Sequence, residues 1–291
     1  MSVLLFPGQG SQHPGMGKAA YDTYPDSRVW FEKADEILGF SLSDLMFNGS
    51  EDDLKKTSVT QPAVFVNAFV HYQLNKDTLN AAAVAGHSLG EFTALTANGV
   101  LEFDDALTLV HKRALAMQEA CNINKGTMAA ILGLDDDVVE ALCSNTEGIV
   151  VAANYNCPGQ LVISGEIEAV NQLVESAKEA GARRALVLNV DGAFHSPLMA
   201  PAQEKLKAAI LQTNFKDARI PIYQNVTGAA VSDADEIKDN LISQLTSSVK
   251  WTQSMKNMVN DGHNNFVEFG AKVLSGFLRR YDRSLEIAQY L

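Results

Sequence analysis

Short apolar runs alternate along this chain with longer segments in which apolar residues recur every three or four positions. The runs at 3–6 and 79–85 predict buried strands, because each is short, apolar and followed by a glycine-containing turn. Similar runs at 220–225 and 265–269 predict two further strands. Helical spacing predicts helices at 26–38, 41–46, 60–74, 91–98, 103–120, 197–213, 251–261 and 272–280. This alternation favours a parallel sheet that is covered by helices on both faces.

The segment between Gly126 and Val190 follows a different order. Its apolar pattern predicts a strand, a helix, two strands, a helix and a closing strand, at 127–134, 136–144, 149–154, 160–164, 167–180 and 184–190. This β-α-β-β-α-β order is the split βαβ arrangement. We therefore expect an α/β core formed by residues 1–124 and 192–291, with a small subdomain of residues 125–191 inserted into it.

The third helix of the core is expected to begin at Thr60, because Pro62 then falls in its first turn. Proline is tolerated there, since the first amides of a helix have no intrahelical acceptor. This assignment places the apolar residues that follow Pro62 on a helix that runs to residue 74.

Composition narrows the class of protein. The 291 residues are 46% hydrophobic, the mean hydropathy is −0.04 and the formal net charge is −12. No apolar run approaches the length of a membrane span, and the acidic balance argues against nucleic acid or an anionic membrane as partner. The first residues lack the basic start of a signal peptide, so we expect a cytoplasmic protein. Three cysteines without a C-x-x-C pair predict neither a disulfide framework nor a zinc site, and no metal is expected.

The strongest chemical motif is Gly86-His-Ser-Leu-Gly90, which lies between a predicted strand and a predicted helix. In this context a G-x-S-x-G turn exposes its serine beside a helix N-terminus, which makes Ser88 a candidate nucleophile. The alternative is a glycine-rich turn in which the serine only caps the helix.

A serine hydroxyl needs a base to accept its proton, and the candidate is His195 in Asp191-Gly-Ala-Phe-His-Ser-Pro197. It follows the serine in the chain, as in α/β-hydrolases. The alternative is a capped loop histidine. Glu91, the acidic run at 135–137 and Asp191 are available as a third member, but none has the context of a carboxylate partner.

Two further segments carry polar groups of interest. Gly8-Gln-Gly10 follows the first strand, and its backbone N–H groups can approach a reacting carbonyl, with Gln9 and Leu89 as oxyanion donors. Arg113 lies in the middle of a predicted helix among apolar neighbours, so we expect it to face inward and to bind a carboxylate. The alternatives are an ordinary glycine turn and an internal salt bridge.

Taken together, these motifs resemble one family. Phe6-Pro-Gly-Gln-Gly-Ser-Gln12, Gln61-Pro-Ala63, Gly86-His-Ser-Leu-Gly-Glu91, Arg113 with Met117-Gln118, Asn154-Tyr-Asn-Cys-Pro-Gly-Gln160 and Gly192-Ala-Phe-His-Ser-Pro197 occur in the family's order. The chain resembles the malonyl-CoA:acyl carrier protein transacylases of type II fatty acid synthesis over essentially its whole length. It is also similar to the acyltransferase domains of polyketide synthases, which share the fold.

The resemblance implies an α/β-hydrolase-like core with a ferredoxin-like insert, and it implies a role for each matching residue. Ser88 would be the nucleophile, His195 its base, and Arg113 the group that binds the malonyl carboxylate. A backbone carbonyl before a Trp-Thr pair orients the histidine in the family, and here that position is Lys250. The residues implied for the oxyanion hole are Gln9 and Leu89, and those implied for the pocket are Phe194, Met117, Asn154, Asn156 and Gln160.

One segment departs from the family. Where the family has Gly-Pro-Gly-Lys-Val-Leu, this chain has Gly270-Ala-Lys-Val-Leu274 after Glu268-Phe269, a turn one residue shorter. The local geometry of this turn is therefore open, whereas the chemistry at Ser88 does not depend on it.

The function implied is transfer of a malonyl group from malonyl-CoA to the phosphopantetheine thiol of acyl carrier protein through a malonyl-serine, without a cofactor. The partners implied are the coenzyme A thioester and the carrier protein. Carrier proteins are acidic, so a basic docking patch is expected among Lys112, Arg183, Arg184, Lys272, Arg279 and Arg280. A stand-alone polyketide acyltransferase and a serine esterase or thioesterase remain the alternatives.

Overall fold

The computed structural model describes residues 1–190 and 192–291. The first part of the chain builds one side of the molecule around two strands. Its elements are β1 (Ser2–Phe6), α1 (Lys18–Thr23), α2 (Pro25–Leu38), α3 (Leu42–Asn48), α4 (Glu51–Lys55), α5 (Thr57–Asn75), β2 (Ala81–Gly86), α6 (Gly90–Ala97) and α7 (Phe103–Ile123).

The middle of the chain has the predicted β-α-β-β-α-β order. Its elements are β3 (Thr127–Leu132), α8 (Asp136–Asn145), β4 (Val150–Cys157), β5 (Gln160–Gly165), α9 (Ile167–Glu179) and β6 (Arg184–Val187). The four strands form an antiparallel sheet in the order β4-β5-β3-β6, which we call the insert sheet.

The last part returns to the first sheet. Its elements are α10 (Ala200–Leu211), β7 (Ile222–Tyr223), β8 (Ala230–Val231), α11 (Ala234–Ser243), α12 (Trp251–Asn260), β9 (Asn265–Phe269), α13 (Leu274–Tyr281) and β10 (Glu286–Tyr290). The six-stranded sheet, which we call the core sheet, has the order β10-β9-β1-β2-β7-β8, with every neighbouring pair parallel except β7 and β8. The predicted α/β fold, with a parallel-rich sheet and a separate antiparallel sheet, is confirmed.

The core sheet brings distant loops to one edge. β1 lies between β2 and β9 with Phe6 opposite Gly86 and Leu5 opposite Glu268. Because the strands are parallel, the loops that follow all three strands meet at their carboxyl ends, where α/β sheets bind ligands. The Gly8 loop, the Ser88 turn and the turn at Gly270 are therefore neighbours.

The two faces of the insert sheet have different partners. Ala129, Ile131 and Ile163 pack with α8 and α9 in a separate apolar core, whereas Met128 and Val162 pack with the main core. This is the period-two alternation of a strand. One face of the insert sheet is therefore stabilised by its own helices and the other face covers the core.

Some predicted boundaries differ from the structure. α5 begins at Thr57, so Pro62 lies inside the helix, and the amides of Val59 and Thr60 close its first turn on the Lys56 carbonyl, at 2.8 Å each. The strand β10 was not predicted, because it is a partly exposed edge strand that mixes polar and apolar residues. The predicted insert boundary at residue 191 lies outside the described residues.

No helix within the described ranges combines the length and apolarity that a membrane span requires.

Candidate active site

The Ser88 turn is fixed by glycines on both sides. A side chain at Gly86 would place its Cβ 2.0 Å from backbone atoms of Gly90, and one at Gly90 would lie 2.1 Å from the Phe6 carbonyl oxygen. Ser88 itself has a φ of 52°, in the left-handed region that non-glycine residues rarely adopt. The sequence therefore forces a tight strand-to-helix turn that holds the serine hydroxyl at the start of α6.

The Ser88 hydroxyl is hydrogen-bonded to His195. The distance from Ser88 Oγ to His195 Nε2 is 2.8 Å, and His195 Nδ1 lies 3.0 Å from the Gln244 carbonyl oxygen and 3.2 Å from that of Ser247. Because carbonyls only accept, the proton is on Nδ1 and Nε2 is free to accept. Burial, together with the positive charge of Arg113, lowers the pKa of His195 to about 3. His195 is therefore neutral, as a general base must be.

The carbonyl that His195 faces is not that of Lys250, which corrects the expectation from the sequence. The Lys250 carbonyl caps α12 and accepts the Ser254 amide at 2.9 Å and the Ser254 hydroxyl at 3.0 Å. Gln244 begins the 3₁₀ turn Gln244–Thr246 and Ser247 follows it, and the Gln244 carbonyl also accepts the Ser247 amide at 3.3 Å. The Trp-Thr pair thus follows the orienting carbonyls by several residues.

No carboxylate contacts His195 among the described residues. Glu91, the candidate nearest to the serine in sequence, is fully buried and accepts the Asn225 amide at 2.9 Å, and it also accepts a hydrogen bond from the Gln244 side chain. Residues 135–137 begin α8 of the insert, and Asp191 lies outside the described residues. Backbone carbonyls therefore take the place of the acid in a conventional triad.

Arg113 faces inward from α7, as the apolar spacing of its helix predicts. It is 1% exposed, with Nη1 donating to Gln61 Oε1 at 2.8 Å and Nη2 to Ser88 Oγ at 3.0 Å and Gln244 Oε1 at 3.1 Å. Burial lowers the pKa of Arg113 to about 10, opposed by the charge of Glu91, so the guanidinium stays protonated at neutral pH. Neutral oxygens accept from Nη1 and Nη2, whereas the buried Nε has no hydrogen-bond partner, and no salt bridge holds Arg113 within the described chain.

A cavity of about 400 Å³ opens beside the serine. Both sheets contribute to it, and the predicted residues among its lining are Gln9, Ser88, Arg113, Met117, Asn154, Asn156, Phe194 and His195. The wall is completed mainly by apolar side chains of the insert and α13, namely Met128, Val162, Leu188, Val190, Val273, Leu274 and Phe277.

Gln160 is not among the residues that line this cavity, contrary to the expectation from the sequence. It begins β5 after a tight turn at Pro158-Gly159, and its side-chain oxygen accepts a hydrogen bond from Arg280 on the outside of the molecule. Two-residue alternation explains the error, because Asn154 and Asn156 share one face of β4 while the turn carries Gln160 away from it.

The two backbone amides expected to bind an oxyanion lie on adjoining segments. Leu89 immediately precedes α6, where the amides of Gly90 and Glu91 bond to the carbonyls of His87 and Ser88 at 2.9 and 3.1 Å. Gln9 lines the cavity in the loop after β1, and this loop packs closely on the turn, since a Cβ at Gly8 would lie 2.4 Å from the His87 carbonyl oxygen. The parallel pairing of β1 and β2 is what brings the two amides to one edge.

His87 points away from the serine hydroxyl. Its Nε2 lies 2.9 Å from Asn156 Oδ1, and its ring packs on Trp251. Burial lowers the pKa of His87 to about 4, so the ring is neutral and donates its proton to the amide oxygen. His87 therefore fixes the Asn156 side chain in the cavity wall.

Three polar residues of the site were not assigned from the sequence. Gln61 and Gln244 hold Arg113 through their amide oxygens, and Asn225 Oδ1 accepts the Ser88 amide at 2.6 Å. Gln61 belongs to the recognised Gln-Pro-Ala motif, which was a usable signal. Asn225 lies just beyond strand β7 and Gln244 just beyond helix α11, where the periodic pattern of the element ends and does not distinguish a buried amide from a solvated one.

Glu268 lies just before the turn at Gly270 and stabilises the helix start that follows it. This fully buried carboxylate accepts the amides of Val273, Leu274 and Ser275 at 2.9, 2.9 and 2.7 Å, which caps the start of α13. Since Val273 and Leu274 line the cavity, Glu268 positions one of its walls.

A serine on a strand-turn-helix of an α/β sheet, paired with a histidine, is typical of enzymes that act on acyl groups. Comparison with known proteins agrees. The model of the family described as acyl transferase domain matches residues 3–275, and the chain belongs to this family. No group of three or more potential metal-binding side chains occurs in the described part of the chain.

Individual relatives are similar over nearly the full length. The malonyl CoA-acyl carrier protein transacylase of Bacillus subtilis (strain 168) is 42% identical over 289 residues, covering 98% of this chain and 91% of the relative. The acyl-carrier-protein S-malonyltransferase structure from Burkholderia pseudomallei 1710b is 40% identical with a TM-score of 0.96, covering 100% and 96% of the two chains. A malonyl-transacylase in complex with its type II PKS acyl-carrier protein is 34% identical, with a TM-score of 0.94 and coverage of 99% and 95%.

Proposed function

We propose that this protein transfers a malonyl group from malonyl-CoA to the phosphopantetheine thiol of acyl carrier protein through a malonyl ester of Ser88. One observation carries the proposal: Ser88 Oγ is hydrogen-bonded at 2.8 Å to a neutral His195 and at 3.0 Å to the buried cation Arg113. A nucleophile, a base and an anion-binding group thus converge on one atom. The names of the relatives give the same acyl group and the same acceptor.

In the first half-reaction His195 Nε2 takes the proton of the Ser88 hydroxyl as Oγ attacks the thioester carbon of malonyl-CoA. The carbonyl oxygen becomes an oxyanion that accepts hydrogen bonds from the amides of Gln9 and Leu89. The bond to sulfur then breaks, and the proton on His195 passes to the departing thiolate of coenzyme A. The products are malonyl-Ser88 and free coenzyme A.

Arg113 binds the free carboxylate of the malonyl group. Its planar guanidinium suits two parallel hydrogen bonds to a carboxylate, and the buried site strengthens them. An acetyl group has no carboxylate and would leave the cation without an anionic partner. Binding of the carboxylate would replace the contact between Arg113 and Ser88 Oγ, which frees the hydroxyl for attack.

The side chains of the wall limit the shape of the acyl group. Phe194 precedes the base and Met117 lies one helical turn beyond Arg113, so both are close to the carboxylate-binding group. A bulky ring at 194 leaves little room for an α-methyl branch, although one methyl changes selectivity by only roughly 1–3 kcal/mol. Asn154 and Asn156 offer amide groups to the pantetheine arm.

The second half-reaction reverses the first with a new thiol. The carrier's phosphopantetheine thiol gives its proton to His195 and attacks the ester carbon, and Ser88 Oγ leaves with that proton. Water is the competing acceptor, which leads to hydrolysis and to the esterase alternative. The apolar wall formed by α13 and the insert favours transfer because it limits access of water.

An arginine-rich cleft supports docking of an acidic carrier. A cavity of about 690 Å³ is lined by Pro158, Gly159, Arg183, Arg279, Arg280, Arg283 and Leu285. Helix α13 contributes to both cavities, and the turn at Pro158-Gly159 in the cleft directly follows β4, which supplies Asn154 and Asn156 to the active-site cavity. Three of the six basic candidates line it, whereas Lys112, Arg184 and Lys272 do not. Arg279→Glu is expected to raise the KM for the carrier and to leave loading from malonyl-CoA intact, and equal loss of both would contradict docking here.

Fatty acid synthesis is the pathway we propose. The alternative of a polyketide acyltransferase is favoured by one observation, the relative found in complex with its type II PKS acyl-carrier protein. Transfer assays with fatty-acid and polyketide carriers side by side would separate the two, since the same site residues serve both. We also propose that residues 1–124 and 192–291 form the catalytic core, that residues 125–191 form the insert, and that the protein is cytoplasmic and needs no cofactor.

Intact-mass spectrometry tests the proposed function. Incubation with malonyl-CoA is expected to add one malonyl group to the protein, and holo-carrier protein is expected to remove it and appear as malonyl-carrier. Ser88→Ala is expected to form no adduct. A wild-type protein without an adduct, an adduct that persists in Ser88→Ala, or an adduct that water removes as fast as the carrier does would contradict malonyl transfer by this site.

A further inference from the structure

Glu91 is a fully buried carboxylate beneath the Ser88 turn, and the mechanism above gives it no role. It is the second residue of α6 and does not line the active-site cavity. Its Oε1 accepts the Asn225 amide at 2.9 Å and its Oε2 accepts the side-chain amide of Gln244. Burying a carboxylate without a salt bridge is costly, so its retention at this position needs a reason.

The first link from Glu91 runs to the Ser88 turn through Asn225. Asn225 Oδ1 accepts the Ser88 amide at 2.6 Å, and its Nδ2 donates to the Gly86 carbonyl at 2.7 Å. These two bonds hold the strained turn from both sides. Because Glu91 accepts the backbone amide of Asn225, it fixes the residue that supports the nucleophile.

The second link runs through Gln244. The Gln244 side-chain nitrogen also donates to the Ser88 carbonyl at 3.0 Å, while its side-chain oxygen accepts from Arg113 Nη2 at 3.1 Å. Its backbone carbonyl accepts from His195 Nδ1 at 3.0 Å. One residue therefore contacts the base, the nucleophile's backbone and the cation.

The direction of the Gln244 amide depends on a partner that can only accept. Both hydrogen-bond partners of Glu91 are donors, the Asn225 amide and the Gln244 side-chain nitrogen, which fits the ionised form, since a carboxylate has no donor of its own. With its nitrogen facing Glu91, Gln244 turns its oxygen to Arg113. A glutamine at position 91 would have one acceptor, its amide oxygen, and one donor, its amide nitrogen. The two groups that face it, the Asn225 amide and the Gln244 side-chain nitrogen, are both donors, so one of them would be left without an acceptor. This glutamine could satisfy the Asn225 amide only by turning its own nitrogen toward Gln244, whose oxygen would then turn away from the guanidinium.

We propose that Glu91 is a positioning residue that fixes the direction of the Gln244 amide and thereby aims the Arg113 guanidinium at the carboxylate of the acyl group. The inference rests on the proposed function, since Arg113 is the group that selects malonyl. Gln61 accepts from Arg113 Nη1 and Gln244 accepts from Nη2. If the Gln244 amide turned, Nη2 would lose this acceptor and would face the Gln244 nitrogen, which is another donor. Selectivity for a dicarboxylic acyl group would then decline even though Arg113 is present.

A buried carboxylate that contacts neither Gln244 nor Arg113 would behave differently, and Glu268 offers this control. Its cap on α13 supports a wall of the cavity that both thioesters meet, so its loss is expected to act on both alike and to leave their ratio unchanged. Glu268 is also fully buried, and it accepts three backbone amides and the Ser275 hydroxyl at the start of α13. Burial raises the pKa of both carboxyl groups, to about 7 in Glu91. Glu268→Gln therefore reproduces the loss of a buried acceptor without touching the Gln244 network.

The test measures acylation of Ser88 by malonyl-CoA and by acetyl-CoA in Glu91→Gln, Glu268→Gln and wild type at pH 8.5, where the wild-type Glu91, with a pKa raised by burial to about 7, is ionised. We expect the ratio of the two kcat/KM values to fall at least 10-fold in Glu91→Gln and to stay within about 2-fold of wild type in Glu268→Gln, with comparable losses of Tm. A ratio in Glu91→Gln equal to that of wild type, or an equal fall in both variants, would overturn the inference. A wild type that forms no malonyl adduct would instead contradict the proposed function.

A second variant keeps the test decisive if Glu91→Gln does not fold. Gln244→Met removes the amide that Glu91 is proposed to direct and leaves the backbone carbonyl for His195 in place. We expect the same fall in the malonyl-to-acetyl ratio, and the double variant should lose no more than either single one, because both act through one contact. Retention of the wild-type ratio in Gln244→Met, or additive losses in the double variant, would overturn the inference.

Discussion

The core sheet and the insert sheet both reach the cavity around Ser88, but the core does so with non-glycine residues in the left-handed region. The insert does so with extended strands, of which β4 carries two register shifts. Ser88 and His195, with φ values of 52° and 58°, are the only non-glycine residues with positive φ in the described ranges. Each such position costs roughly 1–3 kcal/mol and persists only where its surroundings fix it. No residue of the insert within the described part is strained in this way.

The surroundings that fix the strained residues are a buried polar network. Asn225 and Gln244 hold the Ser88 turn, and the Gln244 carbonyl holds His195. The insert contributes side chains of alternate residues on one face of its sheet, such as Met128, Asn154 and Val162. We therefore propose that the core supplies the reacting groups and that the insert shapes the space for the substrate.

The two regions are nevertheless joined beside the base. The Val249 amide donates to the Ala153 carbonyl at 2.8 Å, and the Tyr155 amide donates to the Val249 carbonyl at 2.9 Å. These bonds attach β4 to Val249, which lies two residues after Ser247. The carbonyls of Gln244 and Ser247 are the ones that face His195. The edge strand of the insert thus supports the position of the base without contacting it.

The largest effect is expected for the base itself. His195→Ala leaves the Ser88 hydroxyl without a proton acceptor, so the acylation rate constant with malonyl-CoA should fall roughly 10³- to 10⁶-fold. Rapid-quench measurement of malonyl-Ser88 formation checks this. A fall of less than 10-fold in this rate constant would contradict the assignment of the base to the core, because His195 would then not accept the proton of Ser88.

A smaller but more selective effect is expected for Arg113→Ala. Removing one partner of a buried charged hydrogen bond costs roughly 2–5 kcal/mol, so kcat/KM for malonyl-CoA should fall about 30- to 4,000-fold. Loading from acetyl-CoA should not fall, since the acetyl group makes no bond to the guanidinium. Equal losses with both thioesters in the same assay would rule out recognition of the carboxylate.

Asn154→Ala probes the contribution of the insert. Asn154 Oδ1 is buried and has no hydrogen-bond partner in the described protein, so we expect it to bind the pantetheine arm of the substrate. Its loss should raise KM for malonyl-CoA by about 2- to 10-fold, equivalent to roughly 0.5–1.5 kcal/mol, with kcat unchanged. Steady-state kinetics check this, and a fall in kcat with unchanged KM would mean that the insert acts on the chemical step.

The smallest effect concerns stability and pH. Burial lowers the pKa of His71 to about 4 in the folded protein, so the unfolded state binds a proton first as pH falls below about 6.5. Stability that is present above pH 6.5 should therefore be lost as pH falls toward 4, at most about 1.4 kcal/mol per pH unit from this histidine. No histidine occurs in residues 125–191, so this sensitivity belongs to the core.

Urea unfolding at pH 7.5 and 5.5 measures this difference. His71→Asn should reduce the loss of stability between the two pH values, and His13→Asn, which changes an exposed histidine, should not. If the free energy of unfolding fell by the same amount between pH 7.5 and 5.5 in His71→Asn and in wild type, protonation of His71 would not contribute to the loss of stability.

The sequence was most informative where local rules apply. The glycines around Ser88, the apolar spacing around Arg113 and the β-α-β-β-α-β order each followed from periodicity or turn chemistry. The sequence was misleading where long-range pairing decides. Lys250 was expected to orient the base because it precedes Trp251, but its carbonyl is used by α12. Gln160 was expected in the pocket, but a turn carries it to the outside.

Buried amides were the least predictable part of the site. Asn225 and Gln244 become functional candidates only when the strand order and the 3₁₀ turn bring them to Ser88, over sequence separations of 137 and 156 residues. A single sequence does not distinguish such residues from solvated ones, since their side chains are compatible with both environments.

The most direct measurement is a crystal structure of the acyl-enzyme trapped by soaking with malonyl-CoA. The account predicts an ester on Ser88 Oγ, its carbonyl oxygen within hydrogen-bond distance of the Gln9 and Leu89 amides, and the free carboxylate on the Arg113 guanidinium. A malonyl group attached elsewhere, or one whose carboxylate points away from Arg113 toward the insert, would contradict it.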